Sequence, residues 1–473
     1  MAFKNISELN DTSWDLVVIG GGTGGAAAAV RAAQLGLRVL LVDKGPLGGT
    51  CVNVGCVPTK FLLRFSDVYH SFKEAVGYGL VHASGLSPDL NALMAMKDGL
   101  IQMVISYYTD RIFPSYGVSV VLGEAMLLSN RRVAVKGRDD DRAVVEADNI
   151  VVATGSRPKL VKMEGLEEAL SRGFAITSDE ALSLREVPGS LVIIGGGAIG
   201  VEMASLWHKL GSKVSIVEAL DRLLPMLDRD LGRGLERILA EKGVEIHTRT
   251  TVTRIDPDKG RVKLSGGEEI EADKVLIAVG RVPNVYGLGL ENAGVEFSEK
   301  GLQVDDHCKT NIGNIYAVGD VTGRHFLAST AIAEGIVAAE NAAGLDSKVD
   351  LSLVPIAVFS SPEVGSVGVS AYKGDPGYIV VKFPNAVNYR ALASGEAYGF
   401  SKVVVEKETR RLVGFHMVGM YASEIVNAAV IAIRKGLTLD DSRDLVFSHP
   451  AMSEVFLNAL WLSNGVNVYL EKR

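Results

Sequence analysis

The apolar residues of this chain come in short β-branched runs that stop at glycine clusters. The first run, DLVVI at 15–19, ends at GGGTGG. The chain then continues as AAAAVRAAQLGL, which reads as a helix, and as RVLLVDK, which reads as a second strand. Continuous apolar runs of this length, without polar alternation, belong to strands buried on both faces of a parallel sheet. The same order recurs downstream, where LVII at 191–194 is followed by GGGAIG, a helical VEMASLWHKLG and a strand KVSIVE. Strand, glycine turn, helix and strand within roughly thirty residues form a βαβ unit, and the chain carries two.

Between the two units, Phe61–Gly117 repeats apolar residues at helical spacing, and 133–156 holds strands around a polar hairpin, GRDDDR. Strands VTRIDP, RVKLSG and KVLIAVG follow the second unit, then NIYAVGD and a helix over Ala328–Ala343. From about Val349 the pattern changes. GYIVVKF, FSKVVVEK and RLVGFHMVG alternate apolar and polar residues, as antiparallel strands with one buried face do, and a helix is expected over Ala422–Lys435.

The chain has 473 residues, 47% of them hydrophobic, enough for several domains with a sizeable core. A net charge of −7 with no basic stripe argues against a nucleic-acid partner. The most apolar stretches are broken by Gly and by Thr23 or Glu202, so no membrane span is expected. The start, MAFKNISELNDTSW, lacks the basic-then-apolar order of a secretory signal, and three cysteines are too few for a disulfide scaffold. A cytoplasmic protein is the expectation.

Gly20, Gly22 and Gly25 stand in a GxGxxG frame, as do Gly195, Gly197 and Gly200. In this frame the first glycine permits the turn, the second lets backbone approach a pyrophosphate, and the third lets helix and strand pack closely. An acid, Asp43 or Glu218, ends each following strand, where it can bond ribose hydroxyls. A lone match could be glycines serving turns alone. Two matches in full context predict two dinucleotide sites. Glu218 would repel a 2′-phosphate, so NAD is favoured over NADP at the second site, although Arg222 is nearby.

Two of the three cysteines, Cys51 and Cys56, lie together in GTCVNVGCVPTK. They could be buried structural cysteines, a zinc half-site, a structural disulfide or a redox-active dithiol. Zinc lacks further clustered ligands, and a cytoplasm disfavours a structural disulfide. Two nucleotide folds in the same chain favour the dithiol, because a disulfide takes up electrons in pairs and a flavin can relay them to or from a nicotinamide. Lys60, or a helix starting at the pair, would favour a thiolate there.

GGTCVNVGCVPTK resembles the redox segment of the class I flavoprotein disulfide reductases. The resemblance continues through ATGS at 153–156, GGGAIGVE at 195–202, AVGRVPN at 278–284, YAVGDVTG at 316–323, FPNAVNYRA at 383–391 and HPAMSE at 449–454, so it covers essentially the whole chain. It implies an α/β protein with two Rossmann-like dinucleotide-binding domains, for FAD and NAD, plus a C-terminal α+β dimerisation domain. The expected domains are 1–157 for FAD with the redox disulfide, 158–284 for NAD, 285–348 completing the FAD site, and 349–473 as the interface.

The resemblance also implies roles. Cys56 stands next to the flavin, able to form a charge-transfer pair, and Cys51 exchanges with the substrate. Lys60 lies near flavin N5 and pairs with Glu202. Asp320 bonds the ribitol of FAD, and Lys44, Gly49, Thr50, Ala125, Thr154, Gly155, Ser156 and Ala328 join the FAD contacts. Glu202, Glu218 and Gly280 line the NAD site. His449 is the acid–base residue, oriented by Glu454, and in this family the pair comes from the other subunit of a homodimer. The chemistry agrees, since imidazole can take a proton from one sulfur and return it to another, and a carboxylate on its second nitrogen fixes the tautomer. Cys308 matches no motif and reads as an ordinary buried cysteine.

Within the family the chain is most similar to the dihydrolipoamide dehydrogenases. Dihydrolipoamide is the expected substrate, with a lipoyl domain of a 2-oxoacid dehydrogenase complex as its carrier. The alternative is an NAD(P)H-dependent reductase of another disulfide or of a metal ion, as in the mercuric reductases, although the chain ends GVNVYLEKR without their terminal cysteine pair. Thr59, Phe447–Ser448 before His449, and RHFLAST after Asp320 depart from the usual pattern.

Overall fold

The structure, a computed structural model, describes residues 3–471. Contacts divide the chain into two compact units. One takes the chain through Leu62 with Asp89–Lys159 and Gly280–Leu351; the other takes Leu63–Pro88, Leu160–Val279 and the chain from Ser352 onward.

The first unit is built on one sheet. In spatial order its strands are Ser119–Leu122, Val39–Asp43, Ser13–Ile19, Arg142–Val152, Arg132–Lys136 and Glu124–Leu127, and Ile315–Ala317 pairs with the end of Arg142–Val152. Strands up to Arg142–Val152 are parallel, and the polar hairpin adds antiparallel strands in register Lys136↔Arg142. Strand Ser13–Ile19 is apolar throughout because both its faces are covered. Leu16 and Val18 pack with Ala28, Ala29 and Ala32 of helix Thr23–Gln34, while Val17 and Ile19 face a separate core with Val145 and Val321. Helix Ala328–Ala342 packs on Thr23–Gln34, and the crossing is close: a Cβ on Gly335 would lie 2.3 Å from the Gly24 carbonyl oxygen.

The expected helical stretch 61–117 is several helices. The first, Cys56–Gly77, begins five residues earlier than expected. Pro58 allows this because its missing N–H falls in the first turn, where no intrahelical partner is lost. Residues 78–89 are mostly irregular, with Gly79 and Gly85 at φ +73° and +69°, and Asp89 then caps helix Leu90–Tyr107 by accepting the Ala92 N–H at 3.0 Å.

The second unit holds two five-stranded sheets. The parallel one has the order Glu245–His247, Lys213–Val217, Ser190–Ile194, Lys274–Ile277, Ala175–Ile176, with helix Ala198–Leu210 following its glycine turn. The other is antiparallel, in the order Ile356–Val358, Val364–Gly368, Leu412–Val418, Phe400–Glu406, Tyr378–Pro384. Helices Ala422–Arg434 and Glu454–Ser463 pack on it, with Val403, Phe415, Met417 and Phe456 in the shared core.

Alternate residues of the antiparallel sheet do different work. Lys402 and His416, paired across two strands, are buried and meet the start of helix Arg229–Glu241. Lys402 donates to Asp228 at 2.7 Å and to Asp230 at 2.8 Å, and Asp228 is also the helix cap. His416 is held by the Ser366 hydroxyl at Nδ1 and the Val369 carbonyl at Nε2, both at 2.9 Å, so Nε2 carries the proton. Burial, with help from the Lys402 charge, lowers the His416 pKa against the opposing pull of Asp228, Asp230 and the Val369 carbonyl.

Among the described residues, no helix is long and apolar enough to cross a membrane. Likewise no group of three or more His, Cys, Asp or Glu could hold a metal ion.

Candidate functional site

Both glycine turns adopt the same local geometry. Gly20 and Gly195 sit at φ +106° and +113°, where any side chain would be strained. A Cβ on Gly25 would lie 1.9 Å from the Gly20 carbonyl oxygen, and a Cβ on Gly200 would lie 1.9 Å from that of Gly195. The third glycines therefore serve packing. Gly22 and Gly197 are different. Each is the cap residue of its helix with no side-chain capping bond, and a Cβ on Gly197 would meet nothing within 4 Å. At Gly22 the nearest atom would be 3.8 Å away, at Gly49. The space above both helix starts is open, and first-turn N–H groups point into it. A pyrophosphate fits there by charge and by room.

The strand-end acids sit beside these turns. Asp43 accepts the backbone N–H of Gly21 and, at 2.5 Å, that of Gly45. Glu218 accepts Gly196 N–H and Leu220 N–H, both at 2.7 Å. Each acid thus fastens its glycine loop to the following strand. A cleft over the first loop is lined by Gly21, Gly22, Leu47, Val52, Val104 and Tyr108. Lys44, next to Asp43, is exposed.

The redox segment leaves this loop directly. Gly49, at φ +57°, opens the short helix Gly49–Asn53 that carries Thr50 and Cys51, and Cys56 is the first residue of helix Cys56–Gly77. Lys60 lies one turn further on. Cys51 and Cys56 are present as thiols whose side chains share a hydrogen bond. That bond, and then burial, push the Cys51 thiol upward; the Cys56 backbone N–H and the Lys60 charge pull the other way. Cys56 is the exposed member and Cys51 is half-buried. Two sulfurs within hydrogen-bonding reach of each other can also be joined by oxidation. Cys308 is fully buried, and burial pushes its thiol up to about 12; unlike Cys51 and Cys56, it has no exposed surface for a substrate to reach.

A second cluster joins residues far apart in sequence. Ser156 donates to Asp320 at 2.5 Å and accepts from Arg281 Nε at 2.7 Å. The same guanidinium reaches the Ser156 carbonyl at 3.0 Å and the Thr50 hydroxyl at 3.3 Å. Burial raises the Asp320 pKa, opposed by Ser156 and Arg281. Thr154 donates to the Asn284 carbonyl at 2.8 Å, and Gly155 turns the chain at φ +67°. Behind Asp320, buried Glu334 accepts the Gly319 N–H at 2.6 Å, and burial pushes its pKa up to about 7. Ala328 starts helix Ala328–Ala342, which carries Glu334, and Ala125 lies in strand Glu124–Leu127.

Arg281, Asn284 and Glu334 were not singled out from the sequence. The first two lie inside the quoted AVGRVPN, so the motif marked the place without showing what their side chains reach. Glu334 left no signal in a helix otherwise rich in alanine.

In the second unit, Glu202 is buried on helix Ala198–Leu210 and accepts the Phe359 N–H at 2.9 Å. Gly280, which opens the last segment of the first unit, is exposed at φ +106°. His449 Nδ1 lies 2.9 Å from Glu454 Oε1, and Glu454 Oε2 accepts the Ala451 N–H at 2.8 Å. The carboxylate is therefore fixed at both oxygens and holds one ring nitrogen, leaving Nε2 for other partners.

A family model described as pyridine nucleotide-disulphide oxidoreductase matches residues 14–335, and the dimerisation domain of the same description matches 354–460. A dihydrolipoyl dehydrogenase of Bacillus subtilis is 38% identical over 96% of this chain and 99% of its own length. A leghemoglobin reductase of Glycine max is 37% identical over 94% of this chain and 86% of its own. Among solved structures, the Cu(II) complex of the HOCl-induced flavoprotein disulfide reductase RclA from Escherichia coli superimposes with a TM-score of 0.82 at 29% identity, covering 94% of this chain and 98% of that one.

Proposed function

Since the chain belongs to the pyridine nucleotide-disulphide oxidoreductase family and works with FAD and NAD, we propose that this flavoprotein disulfide reductase is a dihydrolipoamide dehydrogenase acting as a homodimer. The observation that carries the substrate class is the His449–Glu454 pair, 2.9 Å apart. A dithiol donor must lose protons as it is oxidised, and an imidazole held by a fixed carboxylate is built to take them. A metal-ion acceptor has no such need.

In the proposed reaction, one sulfur of dihydrolipoamide gives its proton to His449 and attacks the Cys51 sulfur of the oxidised pair. The Cys51–Cys56 bond breaks, a mixed disulfide forms, and Cys56 leaves as the thiolate. The second substrate sulfur then attacks its neighbour, releasing lipoamide and Cys51 as a thiol. Two electrons have moved to the dithiol and two protons to the protein. FAD, when bound, would supply the remaining chemistry, acceptance of an electron pair and its delivery as hydride to NAD. Cys56, left as the thiolate, would hand the electrons on to that flavin, and Lys60, one turn along the same helix, adds positive charge beside the pair. The His449–Glu454 pair serves the cysteines of the opposite subunit. Glu218 selects NAD over NADP by excluding a 2′-phosphate. The substrate arrives on a lipoyl domain of a 2-oxoacid dehydrogenase complex.

Anaerobic addition of dihydrolipoamide tests this reading. It should produce long-wavelength absorbance from the flavin and then reduce added NAD. If NAD stays oxidised while NAD(P)H drives reduction of another disulfide or a metal ion, the reading fails. That second reading is favoured by the Cu(II) complex formed by the RclA relative, so copper belongs in the acceptor panel.

A further inference from the structure

A row of aromatic rings beside His449 is not used by the reaction above. Helix Tyr389–Ala393 begins at Tyr389, and Asn388 caps it by accepting the Ala391 N–H at 3.0 Å. The same Asn388 side chain donates to the Ala451 carbonyl at 3.0 Å, and the Ala451 N–H is the one held by Glu454. The start of this helix and the His449–Glu454 turn are therefore one hydrogen-bonded block. On that block the Tyr389 ring meets the His449 ring, centroids 5.6 Å apart and planes at 78°. Tyr389 also meets Tyr469 at 6.1 Å, and Tyr469 meets Phe383 at 6.3 Å.

The row runs outward from a buried end to an open one. Phe383 is 2% exposed, whereas Tyr389 is 55% exposed. Leu392, three residues along the same short helix, is 53% exposed as well. Apolar surface is thus held in place immediately beside the imidazole that handles the substrate's proton.

We propose that Tyr389 is a specificity-determining residue, its ring forming, with Leu392, an apolar wall for the hydrocarbon arm of the dithiol or disulfide substrate. The inference rests on the function proposed above, in which His449 meets that substrate. A wall of this kind gains by taking methylenes out of water and offers no partner to a charge. It therefore selects an uncharged substrate with an aliphatic arm over a charged, peptide-like one.

The test uses the FAD-loaded protein with dihydrolipoamide and with dithiothreitol, a dithiol without an aliphatic arm. Tyr389→Ala should raise the KM for dihydrolipoamide on the order of tenfold and that for dithiothreitol less than about twofold, the scale of a lost apolar contact. Tyr389→Phe, which keeps the ring, should restore the wild-type KM for dihydrolipoamide. Flavin absorbance and oligomeric state should match the wild type. Equal shifts for both dithiols, no shift for either, or dissociation of the oligomer in Tyr389→Ala would each overturn the proposal; the last would make the ring an interface residue. His449→Gln separates the two levels. If it turns over both dithiols at the wild-type rate, the function reading falls and this inference falls with it. If it is inactive and Tyr389→Ala shows no preference between dithiols, only this inference falls.

Discussion

At the scale of residues, the proposed reaction divides between two sulfurs and one imidazole, and each can be removed separately. Cys51→Ser leaves no disulfide to be attacked, so reduction of NAD by dihydrolipoamide should fall on the order of 10³-fold or more, with FAD still bound. His449→Gln removes the proposed proton acceptor but not the disulfide, and should cost about 10²–10⁴-fold. Stopped-flow reduction of the bound flavin by dihydrolipoamide checks both; near-normal flavin reduction in Cys51→Ser would refute the assignment. Arg281 makes a different prediction. It touches Ser156 and Thr50 and stands near Asp320. Arg281→Met would strip a charge-assisted bond from Ser156, worth about 1.5–3 kcal/mol. Weaker retention of FAD, read as flavin released on dilution, is the expected result.

At the scale of elements, the two glycine turns repeat one device, and their glycines separate structure from binding. Gly200→Ala would force a Cβ to 1.9 Å from the Gly195 oxygen and should destabilise the second nucleotide fold by about 3 kcal/mol or more. Gly197→Ala meets no protein atom within 4 Å and sits at φ −75°, so the fold should keep its melting temperature. Its methyl enters the space above the helix start, so NAD binding should weaken instead. Thermal melting and nucleotide titration of the two variants together check the division; equal loss of stability in both would defeat it. These positions were readable from GxGxxG. The Lys402–Asp228–Asp230 cluster was not, because Lys402 lies in an ordinary alternating strand and its partners lie some 170 residues away in the chain.

At the scale of the whole molecule, that same cluster makes stability depend on pH. His416 is buried and its pKa is lowered by burial, so in the folded state it stays neutral where an unfolded histidine would be charged. Below the ordinary histidine pKa of about 6.5 the unfolded chain binds the extra proton, and stability falls with falling pH. Above it the term vanishes. Glu334, whose pKa burial pushes up to about 7, works in the opposite direction over the same range, so the His416 term is read as a difference: between pH 7 and pH 5 the melting temperature should drop further in the wild type than in His416→Gln. An equal drop in that variant would show that His416 does not carry the dependence.

Local order in the chain determined a great deal. The apolar runs, glycine spacings and strand-end acids specify both βαβ turns, because each needs only neighbouring backbone and sterics. The two cysteines, one short turn apart, fall under the same rule. Tertiary structure alone decided what the distant side chains meet. Arg281 reaches Thr50 and Ser156, Asn388 reaches Ala451, and Lys402 reaches Asp228. Such contacts depend on how strands remote in sequence are placed in register, and a hydrogen bond forms only when that placement is right to within a few tenths of an ångström. The same holds for Tyr389: its sequence position shows a tyrosine at a helix start, and only the folded chain sets its ring against His449 while leaving it exposed.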